Sequence, residues 1–144
     1  MIKQKLTTDY ELLKKQITLL EYSVSKCNSI GLKEDFSMDE FSFFETLCSR
    51  YSRSIDFLIR KIFRTIDEFE FENQGTLVDV VNNAHKRDLI NSVDRIREMK
   101  DLRNTIVHEY IEENLVELFS EVVEFSTELI EVMITTKKYI EKKI

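Results

Sequence analysis

Ser37-Met38-Asp39-Glu40-Phe41 opens the stretch SMDEFSFFETLCSRYSRSIDFLIRKIFRTIDEF, residues 37–69, and its apolar spacing decides the fold class. Phe41, Phe44, Cys48, Tyr51, Ile55, Leu58, Ile62, Ile66 and Phe69 recur at intervals of three or four. Residues so spaced share one face of an α-helix. Ser37 and Glu40 stand in the capping-box relation, so the pattern predicts a helix running to about Phe69. A 3.5-residue period sustained that long implies nearly parallel or antiparallel packing against other helices. Phe43, Phe57 and Phe63 fall off the stripe. They suggest a second buried surface, either a subunit interface or the seat of an extra short helix.

The flanking sequence repeats the theme. Leu13, Ile17, Leu20, Val24 and Cys27 mark a first helix from about Thr8 to Ile30, with Thr8 and Asp9 as candidate caps and Gly31 as a left-handed stop. Asn73-Gln74-Gly75 breaks the chain, and Thr76 can cap a short helix through about His85. Lys86 to Asn91 reads as a loop. Ser92 then caps a helix carrying Ile96, Met99, Leu102 and Ile106. After a turn near Glu112 and Glu113, a last helix runs to the C-terminus with Leu115, Leu118, Val122, Phe125, Leu129, Val132 or Met133, and Ile140. At 1.5 Å per residue it is roughly 45 Å long. With no proline and only Gly31 and Gly75 in 144 residues, the chain has almost no helix breakers. The expectation is one all-α domain over residues 1–144, an antiparallel four-helix bundle with a short additional helix.

Composition narrows the function classes. Apolar residues at 42% and charged residues at 33% describe a globular chain. No apolar run approaches the ~18 residues of a membrane span, and Met1 to Lys15 is too charged for a signal peptide, so a cytoplasmic protein is expected. Cys27 and Cys48 lie on the stripes of different helices and read as buried, reduced thiols. Two cysteines and two histidines leave little material for a zinc site. The net charge of −6 is unevenly spread. All eight arginines lie between Arg50 and Arg103, whereas Glu109 to Glu131 holds eight glutamates and no Lys or Arg. A local cationic surface is therefore compatible with an acidic chain, while bulk attraction to long duplex is not expected.

One segment carries chemistry: Arg103-Asn104-Thr105-Ile106-Val107-His108-Glu109-Tyr110. Arg-x4-His alone is expected by chance about 0.1 times in a chain of this composition. Adding the Asn after the Arg and the Tyr two past the His lowers that to roughly 0.0002. On a straight helix Asn104 and His108 share a face, while Arg103 and His108 stand about 140° apart. Either the helix loosens near Val107, or the Arg of one subunit completes the His site of another in a two-fold dimer. An imidazole is the usual proton shuttle near neutral pH, and a guanidinium fork fits two phosphate oxygens. Cleavage of RNA by its own 2′-hydroxyl needs those groups and no metal, and the acidic residues show no ligand spacing. His85 has no such company and reads as structural.

The segment RNTIVHEY resembles the signature of the HEPN family, and the Tyr two past the His resembles its HepT toxin branch. FRTIDEFE at the end of the arginine-rich helix and GTLVDVVNNAHKRDLI after it are similar to that branch as well. The resemblance implies a homodimeric helical bundle acting as a metal-independent endoribonuclease toxin, without a cofactor. Arg103 and His108 match its catalytic positions and Asn104 the supporting polar position. Tyr110 matches the tyrosine that a partner minimal nucleotidyltransferase antitoxin, of the MntA type, modifies with AMP. A related branch, the substrate-binding subunits of nucleotidyltransferases, carries much the same signature, so a non-catalytic nucleotide-binding or substrate-binding subunit is the alternative.

Overall fold

The computed structural model describes residues 1–72, 75–109 and 114–144. The described residues are all-α, with no strand. Helix α1 (Ile2–Ile30) buries Leu6, Leu13, Ile17, Leu20, Val24 and Cys27 along one face. It starts six residues before Thr8, because Leu6 is already interior and Asp9 is no cap. The Asp9 carboxylate is buried instead, accepting a 2.6 Å hydrogen bond from Thr65 Oγ1 and lying 3.8 Å from Lys61 Nζ. Gly31 ends the helix at φ 79°, ψ 164°, a positive-φ conformation outside the left-handed helical well. Its N–H donates to the carbonyl of Cys27 at 2.9 Å.

The capping box forms as expected at the start of α2 (Met38–Phe57): Ser37 Oγ accepts from the Glu40 N–H, and Glu40 Oε1 accepts from the Ser37 N–H. The long stripe does not run on one straight α-helix, however. A π-helical turn, Leu58–Ile62, separates α2 from α3 (Phe63–Phe69). A π turn closes i→i+5 hydrogen bonds and so inserts an extra residue into the helix. Leu58, Ile59, Ile62 and Phe63 are all 0% exposed as a result. Phe63, off the stripe in sequence, is thus a core residue of its own chain and no part of a subunit interface. Phe43 and Phe57 are half-buried against the same core.

A short helix does cover the π turn. Helix α4 (Leu77–Lys86) opens with a second capping box between Thr76 and Asp79 and packs on the π turn and α3, burying Val80, Val81 and Ala84. Helix α5 (Val93–Glu109) starts from Ser92, whose Oγ accepts from the Arg95 N–H at 3.1 Å, and packs on α2 and α4. Helix α6 (Leu115–Glu141) packs on α1 and α2. At one end the Phe119 ring stacks on Phe44 at 4.9 Å. At the other, Glu141 accepts from the Tyr10 hydroxyl at 2.5 Å and Glu70 from the Tyr139 hydroxyl at 2.6 Å. Contacts from Cys27 to Phe43, Ser23 to Arg50 and Asp9 to Thr65 run in opposite chain order, so α1 lies antiparallel to α2 and α3. The buried apolar residues of all these elements belong to one cluster. No described helix is long and apolar enough to cross a membrane.

Candidate functional site

The last turns of α5 are held in place from below. Leu102 and Ile106 are buried four residues apart, which fixes the rotation of the helix about its axis. Asn104 and His108 are left on the outer face, both exposed and one turn apart. Helix α5 is continuous through Glu109, so the backbone does not loosen near Val107. The ~140° between Arg103 and His108 therefore stands, and one chain's helix does not bring the two together.

Arg103 sits at the edge of α5 that faces α2. Its Nε and Nη2 both donate to Asp56 Oδ2, at 3.0 and 2.9 Å, and its Nη1 donates to Asn104 Oδ1 at 3.4 Å. The pair is about one-third exposed, 32% and 31%. The guanidinium therefore leans round the helix toward the face that Asn104 shares with His108. Asp56 has no part in the RNTIVHEY motif, yet a signal for it is present in the sequence, since it is the only carboxylate between Glu45 and Asp67 on an arginine-rich helix. His108 has no hydrogen bond or ion pair within the described residues. Tyr110, the expected modification site, lies outside them.

The arginines of α2 and the π turn are not a uniform solvated face. Arg50 donates to the Leu19 carbonyl and to Ser23 Oγ on α1, Arg53 donates to Ser49 Oγ, and Arg60 is exposed. On the opposite flank of α5, a cleft of about 520 Å³ is lined by Asp88, Ser92, Arg95, Glu98 and Glu128 among others. Arg95 is neutralised there by Glu128 and Glu98, and its guanidinium lies 4.0 Å over the Phe125 ring. Beneath it the Tyr51 hydroxyl donates to the Met99 carbonyl at 2.7 Å, and burial pushes that phenol far above its ordinary value.

Cys27 and Cys48 are free and buried, as expected. Burial pushes their thiols up to about 11 and about 12. His85 is exposed at the end of α4, beside Glu72, Asp79, Asn82 and Lys86. Among the described residues no group of three or more His, Cys, Asp and Glu is placed to hold a metal ion. Compared with models of protein families, with curated proteins and with solved structures, the chain finds no match.

Proposed function

We propose that the chain is a metal-independent endoribonuclease of the HEPN type, the toxin of a cytoplasmic toxin–antitoxin pair, folded as an antiparallel four-helix bundle with a short additional helix and working as a homodimer. The observation that supports this reading best is the presentation of Asn104 and His108 together on the outer face of α5, with Arg103 Nη1 reaching the Asn104 carboxamide. Because the helix stays straight, His108 obtains its phosphate-gripping cation from Arg103 of a second copy across a two-fold axis. In that cleft His108 shuttles the proton between the attacking 2′-hydroxyl and the leaving 5′-oxygen, Arg103 stabilises the charge on the phosphorane, and Asn104 orients the ring. AMP placed on Tyr110 by a minimal nucleotidyltransferase antitoxin adds a bulky anion where the RNA phosphate must lie, and so silences the site.

The purified dimer is expected to cleave RNA in EDTA. His108→Ala should lower the rate about 10²- to 10⁴-fold, the usual contribution of a proton shuttle, and Arg103→Ala should abolish cleavage with helicity intact. A His108→Ala rate within about tenfold of wild type refutes the assignment. One observation favours a second reading. The Asp56 carboxylate already occupies two N–H groups of Arg103, which suits a segment that holds a nucleotide or docks a nucleotidyltransferase and catalyses nothing. That reading gives no cleavage by the wild-type dimer, and nucleotide or partner binding that disappears in Arg103→Ala.

A further inference from the structure

The proposed cut site does not end at His108. On α5, at 100° per residue, Arg97, Lys100, Asn104 and His108 fall within an arc of about 80°, a single polar strip roughly 16 Å long. Arg97 is exposed, and its one ion pair among the described residues, to Asp94 at 3.4 Å, joins two exposed side chains that a phosphate readily separates. Lys100 is half-buried, with no hydrogen bond or ion pair among the described residues. Asp94 and Asp101 stand on the edge of the strip away from α4, so the cations border the side toward it. There a groove between α4 and α5 is floored by Leu77, Val78, Val81, Val93 and Ile96, with Arg97 and Lys100 along its rim. At about 50 Å³ it is too shallow to enclose a ring and offers a surface on which one flat face can lie. Val78 is 59% exposed at this groove, and Val107, 52% exposed, stands seven residues beyond Lys100 on the same side of the helix.

Paired cations beside an uncovered aliphatic surface match a nucleotide, whose phosphate is anionic and whose base has two apolar faces. We infer that the strip is a subsite for the single-stranded RNA flanking the cut link: the strand leaves the His108 position along α5, its phosphates on Lys100 and Arg97 and a base against Val78 and Val93. This inference rests on the ribonuclease reading, and it adds where the substrate lies outside the catalytic segment.

Binding separates the two. A fluorescein-labelled single-stranded RNA is titrated by anisotropy into the His108→Ala dimer, which cuts too slowly to deplete the RNA during the titration, at several salt concentrations. Adding Arg97→Ala and Lys100→Ala should weaken binding and reduce the slope of log affinity against log salt by about 1.4, which is about 0.7 for each phosphate that no longer meets a cation. Val78→Asp should weaken binding further by placing a carboxylate in the groove. Lys14→Ala with Lys15→Ala, which removes the same charge from the outer side of α1, should leave the slope unchanged. An unchanged slope in the Arg97/Lys100 variant, with binding intact, overturns the subsite and leaves the ribonuclease reading standing, as does an equal loss in the α1 variant. No RNA binding by the His108→Ala dimer, together with no cleavage by wild type in EDTA, overturns both.

Discussion

Replacing Arg87 with Met should unfold this protein more readily than any change on its surface. Asp67 on α3 is 0% exposed, and its carboxylate accepts from Arg87 Nη1 at 2.5 Å and from Asn83 Nδ2 at 3.2 Å. Arg87 Nε donates in turn to Glu70 at 2.6 Å, and Glu70 also accepts from Tyr139 and from Lys143 Nζ at 3.2 Å. The cluster ties α3 to the turn after α4 and to the end of α6. Methionine keeps the apolar stem of Arg87 and removes its charge, which leaves the buried Asp67 carboxyl without its cation. Breaking a buried pair in this way costs about 3–5 kcal/mol. Folded domains have ~5–15 kcal/mol in all. With a urea slope of about 2 kcal/mol per molar, the midpoint should fall by roughly 2 M. Asp67→Leu combined with Arg87→Met removes both charges and should recover most of the loss, since apolar side chains of similar volume need no counter-ion. A single variant that loses less than about 1 kcal/mol, or a double variant no more stable than the single, refutes the reasoning. Titration supplies a check on sign. Burial pushes the Glu70 carboxyl up, but hydrogen bonds from Tyr139, Arg87 and Lys143 outweigh it and hold the group below its ordinary value of 4.5. A depressed folded value stabilises at neutral pH, and the contribution disappears as pH falls through it. Acid unfolding of Arg87→Met should therefore depend less steeply on pH below about 4.5 than that of wild type.

Two other perturbations test the core. Phe63→Ala should cost about 3–5 kcal/mol in urea unfolding without altering the oligomeric state in sedimentation, because the ring fills its own chain's interior; weaker association at unchanged stability contradicts this. The thiols of Cys27 and Cys48, pushed up to about 11 and about 12 by burial, should resist a thiol-reactive disulfide reagent at about pH 8 in the folded protein and react promptly in urea; rapid reaction of native protein contradicts their burial.

What the sequence determined by itself is whatever depends on residues three or four positions apart. The Ser37/Glu40 box, the Ser92 cap, the stripes of α1 and α5 and the shared face of Asn104 and His108 are all relations within one or two helical turns, and helical geometry converts such spacing directly into a shared face or a satisfied N–H. The tertiary structure decided the rest. Asp9 reads locally as a cap because acids favour helix starts, yet Thr65, 56 positions away, makes it a buried acceptor. Arg103 reads locally as poised for phosphate, and Asp56, 47 positions away, fixes where its guanidinium rests. The π turn that draws Phe63 inside obeys no simple period, because an inserted residue shifts every later position on the helix. Pairings across long separations are selected by packing, and no local repeat encodes them.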